Sequence, residues 1–144
     1  MTDFSSDQIG ALQDTLQGEY AAIYAYGVIG ARSVGEDQRL KGLRAMRTHT
    51  ALRDWLREQL NASGTAAVPA APSYQLPNPI TDNKTAAKAA ATIENRLARS
   101  WAALAARTPI TDDNVTSRQY AVNTSMECGT RAVSWGSGVQ AFPH

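Results

Sequence analysis

Cysteine occurs once, at Cys128, which excludes an internal disulfide and any metal site built from several thiolates, and suits a reducing, cytoplasmic setting. No apolar segment reaches about 18 residues, so no membrane span is expected. The opening MTDFSSDQIG lacks a basic stretch followed by an apolar core, so no secretory signal is expected either. Charge of one sign is also missing: 14 Lys and Arg against 13 Asp and Glu leave a formal charge of +1. With no basic run, a nucleic-acid backbone would find no electrostatic footprint, and no such partner is expected. There is no Gly-x-Ser-x-Gly elbow and no phosphate-binding glycine loop, so nucleophilic or nucleotide chemistry has no carrier. Any enzymatic reading rests on metal alone.

What is present is an ordinary globular balance, 43% hydrophobic and 19% charged over 144 residues, which suits one domain over 1–144. Arginine outnumbers lysine 11 to 3, a bias that carries no chemistry by itself. Four stretches have helical periodicity. The first starts near Ser6, where Ser5, Ser6 and Asp7 can cap free amides, and runs to about residue 31. Leu12, Leu16, Glu19, Ile23, Tyr26 and Gly30 alternate in steps of four and three, so they share one stripe. Five are apolar or small. Glu19 is the exception, and a carboxylate buried alone costs several kcal/mol, roughly, so a neighbouring helix must supply its partner.

The second helix is expected over about 36–61, with Ala45, His49, Leu52, Leu56 and Leu60 on one stripe. His49 therefore turns inward among leucines. From 62 to 81 prolines 69, 72, 77 and 79 forbid regular helix and favour extended backbone. Helix connections in bundles usually take two to eight residues, so one of about twenty predicts a chain crossing the length of a bundle. Tyr74, Leu76 and Ile80 are its apolar anchors. The third helix, about 82–107, has Asp82 or Thr85 as cap and carries Ala90, Glu94, Leu97, Trp101 and Leu104 on a stripe, again with one carboxylate among apolar residues. The fourth, about 112–135, takes its cap from Thr111, Asp112 or Asp113, and its apolar line is Val122, Met126, Gly129 and Val133. Glu127 lies about 100° from Met126. Phe142 in the tail is expected to tuck into a groove.

Four long helices with a short loop, a long crossover and a second short loop describe an all-α, ferritin-like four-helix bundle, up-down-down-up. That superfamily gathers metal ligands from all four helices: a Glu, a Glu-x-x-His, a Glu and a second Glu-x-x-His. The matching positions are Glu19, His49, Glu94 and Glu127, one per helix. Both paired motifs are broken, because Met46 stands three before His49 and Thr130 three after Glu127, which argues against a two-iron centre. More closely, the chain resembles the small ferritin-like family of unknown function seen in actinobacterial proteins. The shared residues are EYAAIYAYGVIGA in the first helix, HTALRDWL in the second, YQLP in the crossover, and RAVSW and FP near the end. The resemblance implies the fold and brings no substrate or reaction with it.

Two arrangements satisfy a buried Glu19. In one it is structural: Arg53, one turn beyond His49, holds the Glu19 carboxylate with its guanidinium fork, and His49 and Glu94 join the network. In the other, Glu19, His49, Glu94 and Glu127 surround one ion, since carboxylate oxygen and imidazole nitrogen suit iron, manganese or zinc. An arginine beside a cation is electrostatically unwelcome, which favours the first. Glu127 has a bland alternative as a surface pair with Arg131, four residues on. Tyr20, Tyr24 and Tyr26 can serve redox chemistry near a metal, but on a helix they are first of all packing residues. Cys128 reads as a small buried residue. The expectation is a non-catalytic bundle whose polar cluster of Glu19, His49, Arg53 and Glu94 holds helix register. A metal-dependent oxidoreductase or metal-storage protein, and a carrier of small ligands in the bundle core, stand as alternatives. Alanine-rich faces and exposed Trp55 or Trp135 predict a homodimer.

Overall fold

The computed structural model describes residues 4–138, which form four long helices: α1 (Ser6–Arg32), α2 (Glu36–Ala62), α3 (Asn83–Arg107) and α4 (Val115–Ser134). The helix starts follow from local chemistry. Ser5 accepts a hydrogen bond from the Gln8 amide at the head of α1. Asp82 and Thr85 cap α3 reciprocally, the side chain of each taking a backbone amide of the other. At the ends of α2 and α4, Gly64 (φ 77°) and Gly136 (φ 107°) adopt the left-handed conformation. Each lets the next residue's amide turn back on the helix, Thr65 to the Leu60 carbonyl and Ser137 to that of Ala132. The start of α4 differs from expectation. None of Thr111, Asp112 and Asp113 caps it through a side chain; a 3-10 turn, Asp112–Asn114, intervenes, with the Asn114 amide bonded to the Thr111 carbonyl.

Cross-helix pairings fix the directions. Thr15 reaches the Ser100 carbonyl and Tyr26 reaches Glu94, so α1 and α3 are antiparallel. His49 faces Glu94 and Trp55 packs on Trp101, so α2 runs parallel to α3. Ser125 donates to the Ala98 carbonyl and Asn95 to Ser137, so α4 returns antiparallel to α3. The order is up-down-down-up, and residues 63–82 cross the bundle along α1. Gln13 donates to the Ala66 carbonyl and accepts from the Val68 amide, both at 2.8 Å. Tyr20 then bonds the Val68 carbonyl at 3.0 Å, and Tyr24 and Tyr74 bring their ring centres to 6.2 Å. At the far end Asn83 closes on both the amide and the carbonyl of Val34. The Gln13 and Tyr20 bonds satisfy backbone groups of the extended strap, at Ala66 and Val68, that no helix or sheet ladder pairs. Ile80 is buried and Tyr74 and Leu76 half-buried beneath it.

The inward stripes of α2 and α3 are those of the sequence: Ala45, His49, Leu52, Leu56 and Leu60, and Ala90, Glu94, Leu97, Trp101 and Leu104, are all buried. On α1, Leu12, Leu16, Glu19 and Tyr26 are buried, whereas Ile23 and Gly30 sit at the edge. The expected line on α4 is misphased. Its buried residues are Ala121, Thr124, Ser125, Cys128 and Ala132, while Met126 is 66% and Val133 39% exposed. Close contact with α3 demands small residues there, and hydrophobicity alone cannot find such a face. The two tryptophans expected on the surface also lie inside. Trp135 is buried, and Trp55 is half-buried in a stack with Tyr120, ring centres 4.2 Å apart. Phe142 lies outside the described residues. No helix among the described residues is long and apolar enough to cross a membrane.

Candidate functional site

On α2 and α3 the apolar core is interrupted by one polar layer: His49 lies between Ala45 and Leu52, and Glu94 between Ala90 and Leu97. The upper apolar cluster contains Tyr26, Ile29, Ala45 and Trp135, and the lower one Leu16, Leu52, Leu97 and Trp101. Glu19, His49 and Glu94 are each 0% exposed. His49 Nδ1 stands 2.6 Å from Glu19 Oε2, and its Nε2 stands 2.6 Å from Glu94 Oε1. A neutral imidazole has a proton on one nitrogen only and would turn the other lone pair against a carboxylate. Flanked on both sides, His49 is an imidazolium that donates from both nitrogens.

The remaining carboxylate oxygens are also met. Trp101 Nε1 donates to Glu19 Oε1 at 2.9 Å, and the Tyr26 hydroxyl adds a second donor, at 2.7 Å, to the Glu94 Oε1 that already receives His49. Glu94 Oε2 accepts from the Arg131 guanidinium at 3.1 Å. Two carboxylates therefore face one imidazolium and one guanidinium, and the cluster is neutral as a whole. That is the condition under which buried charge is tolerated. The Tyr26 ring lies stacked over the His49 ring, 15° from parallel with centres 5.6 Å apart, which sets a π face against the cation.

The ionisation of these groups follows from the same contacts. Burial by itself would lower the His49 pKa, but the charges and hydrogen bonds of Glu19 and Glu94 outweigh it and hold it at about 9. Burial would raise Glu94, and His49, Arg131 and Tyr26 together pull it below the usual carboxylate value. Tyr26 is raised, first by burial and then by the charge of Glu94, so it stays a neutral donor. The buried Cys128 thiol is likewise pushed up by desolvation. It lies 3.9 Å from the Arg131 guanidinium as a packing neighbour of the cluster.

Of the residues singled out in the sequence, Glu19, His49 and Glu94 come together. Arg53 does not join them: it pairs at 3.0 Å with its neighbour Asp54 at the surface, because Glu19 is already satisfied by His49 and Trp101. Glu127 is exposed on α4, away from the cluster, and the surface pair expected between it and Arg131 is replaced by the inward bond of Arg131 to Glu94. Arg131 thus supplies the second cation. Its signal was its place one turn beyond Cys128 on the small-residue face of α4.

A metal fits this donor set poorly. Both nitrogens of His49 are committed to carboxylates on opposite edges of its ring, so Glu19 and Glu94 do not converge with a free imidazole lone pair on one point. A guanidinium occupies Glu94 as well. Among the described residues, no group of three or more His, Cys, Asp and Glu side chains is arranged to hold a metal ion.

Helix order, crossover and inward-facing Glu and His side chains define a ferritin-like bundle. The chain belongs to the family described as a domain of unknown function, DUF4439, whose profile matches residues 11–144. The fold is similar to that of a conserved hypothetical protein from Mycobacterium tuberculosis, with a TM-score of 0.83 and 32% identity over 91% of this chain and 96% of that one. It is similar as well to a dodecameric thioferritin, the bacterioferritin-related protein of Bacteroides fragilis, with a TM-score of 0.71 over 89% of this chain and 83% of that one. At 16% identity that second likeness is one of fold alone. No curated protein matches this chain.

Proposed function

We propose that this chain is a non-catalytic ferritin-like scaffold in which a neutral cluster of Glu19, His49, Glu94 and Arg131 stands where the superfamily's metal centre stands. The observation that carries the reading is the double donation of His49 to carboxylates from two other helices, at 2.6 Å each. A buried ion pair adds little net stability over apolar packing, but it penalises every helix register that leaves a charge unpaired. The cluster's role is therefore to fix α1, α2, α3 and α4 against one another. The chain works as a homodimer, in keeping with a ferritin-like neighbour that is itself described as a dodecamer. Its single buried cysteine suits the cytoplasm.

The deciding measurement is metal content per chain on protein purified without affinity tag or chelator, followed by titration with iron, manganese and zinc. The scaffold reading expects no stoichiometric metal before or after titration. Near-stoichiometric metal that is lost in His49→Ala would overturn it in favour of a metal-dependent oxidoreductase or a storage protein.

A further inference from the structure

Between α2 and the crossover strap the chain leaves a cleft of about 450 Å³, outside the bundle core, and its walls are of two kinds. Tyr20 and Tyr24 of α1 and Tyr74 of the strap supply aromatic surface, with the Tyr24 and Tyr74 rings tilted 60° to one another. Arg53 and Arg57, one helical turn apart on α2, supply two guanidinium groups, and no carboxylate is among the lining residues. The cleft stays open because the strap is tied on one side only. Between residues 66 and 74 its hydrogen bonds run to Gln13 and Tyr20 of α1, or from the Ala71 amide to the Tyr74 hydroxyl within the strap, and Pro69 and Pro72 have no amide to offer α2.

Neither arginine is well matched by its own chain. The Arg53 side chain is 29% exposed, and its partner Asp54 is the next residue, which projects about 100° away around the helix and is 55% exposed. A surface pair of that kind is worth little, so Arg53 remains available to a better-placed anion. Arg57 has no carboxylate within 4 Å among the described residues, and Glu58 beside it is exposed and outside the lining. A guanidinium fork matches a carboxylate, and tyrosine faces match a flat apolar body. We propose that this cleft binds a small aromatic carboxylate, its charge held by Arg53 and Arg57 and its ring laid against Tyr24 and Tyr74. The cleft's volume lies within the ~300–1,000 Å³ of small-molecule sites.

Amide NMR of the isotope-labelled full-length chain tests this with three probes: indole-3-acetate, indole-3-acetamide as the ring without the charge, and acetate as the charge without the ring. Indole-3-acetate is expected to shift the amides of Ala67, Val68, Ala70 and Ala71 saturably, with a Kd of about 1 mM or tighter. The other two probes should bind at least about ten-fold more weakly, and Arg53→Met and Arg57→Met should each weaken indole-3-acetate by about ten-fold while the rest of the spectrum stays in place. Indole-3-acetamide binding as tightly as the acid would remove the role of the arginines, acetate binding as tightly would remove that of the tyrosines, and either result overturns the site. So does an absence of saturable shifts at about 10 mM indole-3-acetate, ten times that Kd, or binding left unchanged when both arginines are replaced.

Discussion

Arg131 of α4 donates to the same carboxylate of Glu94 that receives His49 of α2 and Tyr26 of α1, so one side chain of α3 ties together all three other helices. Glu94 is the only member of the cluster that touches every other helix directly. Its removal should therefore be the most damaging single change within the polar layer. Glu94→Ala strands the Arg131 guanidinium and leaves His49 Nε2 without its acceptor, and is expected to destabilise the fold by roughly 3 to 5 kcal/mol. Urea unfolding measures it; a loss below about 1 kcal/mol, the range of an exposed pair, would contradict the cluster's burial.

The two arginines should separate cleanly. Arg131→Met removes a hydrogen bond to a buried charge and should cost roughly 2 to 3 kcal/mol. Arg53→Met removes an exposed neighbour pair and should stay within about 0.5 kcal/mol of wild type. A larger loss for Arg53→Met than for Arg131→Met in parallel melts would mean that Arg53, not Arg131, neutralises the layer.

Trp101 tests the other end of the network. Trp101→Phe keeps an aromatic ring in the stack with Trp55 and Tyr120 but deprives Glu19 Oε1 of its 2.9 Å donor. The expected loss is about 1.5 to 3 kcal/mol, that of a hydrogen bond to a charged group plus the partner left unmet. No change would imply that Glu19 finds another donor.

Stability should fall on the alkaline side. The His49 pKa is raised from 6.5 unfolded to about 9 folded, so the native state holds a proton that the unfolded chain gives up first. Its contribution, about 3 kcal/mol for a shift of that size, is fully present below pH 6.5, declines above it and is gone once pH passes about 9. Glu94 has a depressed pKa, so its contribution has the opposite sense and is lost as pH falls through the acid range. Melting temperature should peak between these limits. In a His49→Gln variant that still folds, the alkaline decline should flatten; an unchanged decline would assign it to another group.

Three of the four helices could be phased from sequence because their inward stripes are apolar with a single charged interruption, and that interruption located Glu19, His49 and Glu94. A lone carboxylate or imidazole repeating at helical spacing among leucines is legible, since only burial explains it. The crossover was legible for a similar reason: four prolines exclude helix, and its length exceeds any tight turn. On α4 the same logic failed. There the face against α3 is Ala121, Thr124, Ser125, Cys128 and Ala132, chosen for size, while the apolar Met126 and Val133 lie outward.

The sequence by itself determined the helices, the bundle order and the three charged groups that had to meet, because periodicity and the penalty for unpaired buried charge are local properties of the chain. It could not determine which arginine would meet them. Arg53 and Arg131 are chemically identical, and the choice depends on how far each helix is rotated about its axis and how closely α4 approaches α3. Those quantities are set by packing across the whole bundle. Tertiary structure alone therefore decided that Arg131 closes the charge balance and that the apolar row of α4 remains on the outside.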